Sequence, residues 1–282
     1  MHFLFLTVLC STSIALILKY SDTKKDEPIV LLAGNYFIAS IIATVLLFTK
    51  DEIIFTSETF LFGLGLGLMF VIVFFVFAKA IAYAGTGLAT TSSRLSVIIP
   101  VLLSILIQNE LPTEYHLFGF VFTIITFVLF YFSVKGNNNA RQGITKYLFL
   151  LAAFIGIGLN DYAMKVFQSW RSPNEEPFFV LFIFSFAFIY SIIFIRFKKI
   201  KIERKTFGNG VLLGVPNVFS TVFLLAALSE LPAIFVYPIV NVGIILFTVI
   251  FAFILFKEKL NVWGFAALAS GIIAILFLSL GN

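Results

Sequence analysis

A chain of 282 residues that is 61% hydrophobic and 12% charged lies far from a water-soluble domain, which is about half apolar and about a quarter charged. Nineteen basic and fourteen acidic residues are too few to clothe a soluble core of this size, so composition excludes a water-soluble fold and leaves a polytopic membrane protein. The net charge of +5 reads as loop topology rather than nucleic-acid binding, and the single cysteine, Cys10, excludes an intrachain disulfide or a cysteine-based zinc site.

Crossing about 30 Å of hydrocarbon takes about 20 apolar residues wound as a helix, the structure that satisfies its own backbone hydrogen bonds. In chain order, charge-free runs predict spans at Met1–Leu18, Pro28–Thr49 and Thr59–Ala78. A fourth lies between Lys79 and Glu110, interrupted only by Arg94, and a fifth at Tyr115–Val134. The sixth, between Lys146 and Lys165, is interrupted only by Asp161. Pro177–Ile195, Phe207–Ser229, Leu231–Phe256 and Leu260–Asn282 complete ten. Span one has no basic residue ahead of its apolar stretch and no small-x-small cleavage site after it, so it reads as a helix rather than a signal peptide. No loop exceeds roughly fifteen residues, which leaves function to the bundle.

Odd-numbered loops carry fourteen Lys and Arg, six of them between Arg196 and Lys205, whereas even-numbered loops carry Lys50, Lys165 and Arg171. The excess predicts odd loops in the cytoplasm and both termini outside, in a cytoplasmic-type membrane.

The polar stretch Lys135–Gly143 falls almost at the midpoint and divides the chain into halves 1–138 and 139–282, five spans each within one integrated domain. An offset of 146 places Lys19 on Lys165, Ala80 on Ala226, and Gly85-Thr86-Gly87 on Leu231-Pro232-Ala233. The pairs Gly63/Gly67 and Gly210/Gly214 agree within one residue, and Glu110 and Glu258 within two. Because five is odd, the halves enter the membrane in opposite senses. The fold class is therefore all-α integral membrane, ten helices as two inverted five-helix repeats, the usual scaffold of alternating-access transporters.

Four features resemble the drug/metabolite transporter superfamily of EamA type. Span one has Cys10-Ser11-Thr12-Ser13 through Lys19; short turns Ala84–Gly87 and Ser229–Ala233 join spans three to four and eight to nine; Pro100 lies in span four, with Glu110 and Glu258 closing spans four and nine; Gly264 and Gly271 recur in span ten. Span one departs by lacking the Trp-Gly common in that family. The resemblance implies a central cavity lined by spans three, four, eight and nine with help from one and six, and a small-molecule substrate such as an amino acid, nucleotide sugar, drug or other metabolite.

An ionised group at mid-membrane costs at least about 2.5 to 3.5 kcal/mol, so it faces a cavity, finds a partner or snorkels out. Lys79, one turn from the end of span three, is expected to snorkel. Arg94 either caps the neighbouring hairpin or snorkels, or it offers a guanidinium fork to a carboxylate or phosphate, and Ser92, Ser93 and Ser96 make its surroundings polar. Asp161 follows Asn160 and precedes Lys165 by four residues, which fits a helical ion pair, a site for a substrate ammonium, or a proton carrier. On the predicted topology Arg94 and Asp161 fall in opposite halves of the bilayer. Tyr237 and Asn241 share a face of span nine across Pro238, and Pro216-Asn217 lies midway along span eight. Each reads either as glue between helices or as cavity lining.

The expected substrate-binding residues are thus Ser13, Ser93, Arg94, Asn160, Asp161, Asn217, Tyr237 and Asn241. The expected activity is secondary transport of a small polar or amphipathic metabolite by a monomer in the lipid bilayer, with protons as a coupling ion. No cofactor, catalytic residue, metal or nucleic-acid partner is expected, because His-Glu-x-x-His, Gly-x-Ser-x-Gly and Walker signatures are all missing. The alternative is a membrane-embedded enzyme or lipid-handling protein, which would need a second acid beside Asp161 to form a proton-sharing dyad.

Overall fold

A computed structural model describes residues 1–23, 26–49, 52–84, 86–134, 144–256 and 261–281. Lys135–Gly143, Gly85 and Glu258, on which part of the repeat alignment rests, lie outside the described residues. The described chain is helical: α1 (His2–Thr23), α2 (Pro28–Leu47), α3 (Ser57–Ala84), α4 (Thr86–Leu95), α5 (Ile98–Gln108), α6 (Glu114–Val134), α7 (Ile144–Trp170), α8 (Glu176–Phe197), α9 (Arg204–Glu230), α10 (Ala233–Phe256) and α11 (Val262–Leu280). Nine spans among the described residues are long and apolar enough to cross a membrane, and the apolar part of α1, His2–Leu18, is shorter.

Span four is two helices rather than one. It breaks at Ser96–Val97, between α4 of ten residues and α5 of eleven, so the break falls near its midpoint. Pro100 contributes by lacking the amide that would bond the Ser96 carbonyl, which accepts from Ile99 N instead at 2.9 Å. A second departure concerns Lys165. Because α7 runs on to Trp170, this residue sits inside a helix and not in a loop.

Helices of the two repeats interleave. The α2–α9 interface is backbone against backbone, since a Cβ on Gly34, Gly210 or Gly214 would meet the carbonyls of Phe207, Leu31 and Asn35 respectively. Its repeat-related counterpart, α3–α8, uses Gly63 and Gly67 against Phe182, Ile183 and Phe186. Likewise α1 packs on α9 and α10, while α7 packs on α3, α4 and α5, and α6 pairs with α11. Small residues let helices approach closely where lipid supplies no hydrophobic drive between them. The outcome encloses α10, the most buried span. Its Phe235 and Tyr237 are among the largest fully buried side chains, together with the stacked Phe167 and Phe179, whose centroids are 3.6 Å apart.

Polar contacts clamp the two ends. At the end holding both termini, Arg171 Nε and Nη2 donate to Glu175 at 2.9 to 3.0 Å, and Thr56 donates to Glu175 Oε2 at 2.5 Å. Thr59 also donates to that carboxylate, tying α3, α7 and the start of α8 together. At the opposite, basic end, Asp26 accepts from Thr206 at 3.0 Å and Asn209 at 2.7 Å. Burial alone would raise the Asp26 carboxyl, but these donors and the Lys205 charge hold it below the ordinary carboxylate range.

Candidate functional site

On α10, Tyr237 and Asn241 are four residues apart and therefore stacked on one face, beside the proline that interrupts the backbone ladder. The Asn241 side chain closes this turn by donating Nδ2 to the Tyr237 carbonyl at 3.1 Å. That leaves its Oδ1 facing α4, where it accepts from Arg94 Nη1 at 3.3 Å. The Tyr237 hydroxyl donates to the main-chain carbonyl of Asp161 on α7. Three helices, α4, α7 and α10, thus meet through four residues that are distant in sequence.

Arg94 is on the last turn of α4, immediately before the break in span four, which puts it near mid-membrane rather than at the hairpin. It neither caps that hairpin nor snorkels. A guanidinium has five N–H donors, and the contact with Asn241 uses one of them. Asp161 and Arg94 act on each other as opposite charges, at longer range than a direct ion pair. Asp161 bonds at Tyr237 and Arg94 one turn further along α10 at Asn241, so the two charges stand at successive turns of that helix. Asn160 lies alongside, its Oδ1 buried and without a hydrogen-bond partner among the described residues. Tyr237 and Asn241 are 1% and 8% exposed, whereas Arg94, Asn160 and Asp161 are only partly buried. The α10 side of the cluster is therefore its most buried part.

Gly158 permits this geometry. A Cβ there would stand 2.6 Å from Ile99 Cβ and 2.8 Å from the Ser96 carbonyl, so only glycine lets α7 lie directly on the broken segment.

The ion pair expected between Asp161 and Lys165 does not form. Lys165 Nζ pairs with Glu110 Oε1 at 2.9 Å, and the same carboxylate accepts from Ala233 N at 3.1 Å and Ile234 N at 3.0 Å. Glu110 thus caps α10 from another part of the chain, where the exposed amides and the helix dipole favour a negative charge. Sequence reasoning placed Glu110 only as an acid closing span four. Its match to a distant helix start has no local signal.

Other expected residues fall elsewhere. Ser13 is exposed and donates back to the Leu9 carbonyl at 2.9 Å. Asn217 donates to Asn35 Oδ1 at 3.0 Å and so joins α9 to α2. Ser93 lends its carbonyl to Ser96 Oγ at 2.6 Å, while Ser92 reaches the Leu150 carbonyl at 2.9 Å. Asn35 was not anticipated, although a single amide in an otherwise apolar run was the signal that could have found it. Ser11 and Ser220 share a hydrogen bond of 2.6 Å between α1 and α9. Among the described residues, no group of three or more His, Cys, Asp or Glu could hold a metal ion.

The model of the EamA-like transporter family matches residues 1–132 and again residues 144–280, nearly the whole chain in two copies. The chain belongs to the EamA-like transporter family. This membership establishes a multi-pass membrane protein with an internally repeated, ten-helix fold. An uncharacterized protein of Haemophilus influenzae is 28% identical over 292 residues, covering 99% of this chain and 98% of that one. A crystal structure of 15% identity superposes with a TM-score of 0.79 over 99% of this chain and 95% of its own, a likeness of fold alone. As an EamA-like chain it carries the Arg94 cluster on α4, α7 and α10, the helices equivalent to spans four, six and nine.

Proposed function

We propose that this EamA-like protein is a secondary transporter moving a small polar or amphipathic organic metabolite by alternating access, with Arg94, Asn160, Asp161, Tyr237 and Asn241 as the binding cluster. The observation that carries the reading is a mid-span guanidinium with one hydrogen bond among the described residues, near a carboxylate and an amide oxygen that has no partner among them, at the break of a discontinuous helix. Buried donors and acceptors left open cost free energy unless a ligand or water uses them. Discontinuous helices are where transporters commonly expose such groups to a substrate. The guanidinium fork suits a carboxylate or phosphate group on the substrate, and Asp161 suits its ammonium or the coupling proton.

Among the described residues the charged group acting on Asp161 is a base, which favours transport over a proton-sharing pair of acids. At the end holding the termini, Glu110 joins the first half to Lys165 and the start of α10 in the second, so opening that end requires this bridge to break. Since the extensive interfaces join helices of opposite repeats, the moving bodies combine helices from the halves 1–138 and 139–282 rather than coinciding with them. The protein acts as a monomer in a cytoplasmic-type membrane, with both termini on the non-cytoplasmic face.

Proteoliposomes offered a pooled metabolite library identify the substrate. Arg94→Lys keeps the charge but loses the fork, so binding should weaken about tenfold, roughly 1.4 kcal/mol, and Arg94→Gln should weaken it further. Asp161→Asn should abolish accumulation driven by a pH gradient and spare exchange at equal pH. If Asp161 is only a counter-charge for Arg94, Asp161→Asn lowers pH-driven accumulation and equal-pH exchange to the same extent, and that equal loss overturns the proton role.

A further inference from the structure

At the basic end, α3, α8 and the start of α2 border a cleft of about 210 Å³ walled by Phe74, Phe75, Ala78 and Phe194 and edged by Lys79, Glu27 and Pro28. It does not reach the Arg94 cluster. Lys79 lies five residues before the end of α3, about 8 Å below it along the helix axis. Rather than snorkelling outward, its ammonium turns back along the helix, with Nζ 5.4 Å from the centroid of Phe75, one turn deeper. Phe75 in turn meets Phe194 across the cleft, with centroids 5.5 Å apart. Glu27 stands at the mouth, at the N-cap position of α2, yet its side chain caps nothing. Its neighbour Asp26, by contrast, is committed to Thr206 and Asn209. One cleft therefore holds a cation, an aromatic wall and an acid that has no side-chain hydrogen bond or ion pair among the described residues.

We infer that this cleft binds a phosphatidylethanolamine molecule of the bilayer, with its phosphate at Lys79, its ammonium at Glu27 and an acyl chain along Phe74, Phe75 and Phe194. Going from the hydrocarbon outward, such a lipid presents chain, phosphate and ammonium in that order, and the cleft presents aromatic rings, Lys79 and Glu27 in the same order. An ammonium at the wall of a cleft open to the bilayer attracts lipid phosphate. A purely anionic headgroup would meet the Glu27 carboxylate as a like charge, and a trimethylated ammonium offers it no N–H donor.

The test uses the full-length protein in detergent, titrated with phosphatidylethanolamine, phosphatidylglycerol or phosphatidylcholine and followed by native mass spectrometry and by thermal unfolding. The wild type should retain phosphatidylethanolamine preferentially. Lys79→Gln should lower its retention about fivefold, with Lys79→Arg restoring it. Glu27→Gln should leave overall lipid retention in place but erase the preference for phosphatidylethanolamine over phosphatidylglycerol. Equal retention of all three lipids by the wild type overturns the inference, as does an unchanged headgroup order in Glu27→Gln. Both residues are exposed, and an unchanged unfolding midpoint without lipid separates lost binding from lost folding.

Discussion

Lys165 has two acids within reach of a sequence argument, Asp161 one turn before it and Glu110 fifty-five positions away, and it takes the distant one. An exposed i,i+4 pair is worth only about 0.2 to 0.5 kcal/mol. Glu110 instead offers a carboxylate already fixed by two amides at the start of α10, so the charge-assisted bonds reinforce one another. With side-chain exposures of 11% and 13%, Lys165 and Glu110 are shielded from solvent screening. Glu110→Gln retains an acceptor for one amide but strands the lysine, and should cost about 1 to 3 kcal/mol in chemical unfolding of the detergent-solubilised protein. Lys165→Gln should cost less, since Glu110 keeps both amides. Equal losses would mean that the ion pair, and not the cap, dominates. The same rewiring frees Asp161 from Lys165 and leaves Arg94 as its charged neighbour.

Between elements, the decisive feature is how closely two backbones approach. Gly210 on α9 faces the Leu31 carbonyl of α2 with no side chain in between to yield, so a methyl group there must push the helices apart. Gly208, two residues earlier, has nothing within 4 Å of an added Cβ. Gly210→Ala should therefore destabilise by about 1 to 3 kcal/mol, in the range of overpacking. Gly208→Ala should be neutral or slightly stabilising, because alanine is the better helix former by about 1 kcal/mol. A pair of unfolding curves distinguishes the two, and equal effects would show that α2 and α9 are not held at backbone contact. The helix lengths were legible in part: runs of apolar residues between charges gave six of the ten spans to within three residues at each end, while α1, α3 and α7 continue through a lysine and end five or six residues past their runs. The break in span four was not, because Ser96-Val97 resembles any polar patch until the missing amide of Pro100 and the packing of Gly158 act together.

For the whole molecule, the six basic residues between Arg196 and Lys205 predict that this end faces the cytoplasm. With Cys10 replaced, single cysteines introduced at Lys198 or Lys201 should react with impermeant reagents only after the cell is opened, and labelling of intact cells would invert the orientation. The sequence by itself determined the solvent, the number of spans and the duplicated plan, because lipid demands long apolar helices and an odd repeat reverses its orientation. It also marked Arg94 and Asp161, since a charge inside an apolar run stands out wherever it points. Only the tertiary structure decided which of these groups meet. Hydropathy is a property of one helix at a time, whereas the gathering of Arg94, Asp161, Tyr237 and Asn241 depends on a half-length helix, on glycine contacts between opposite repeats, and on a glutamate that recognises the start of a helix far along the chain.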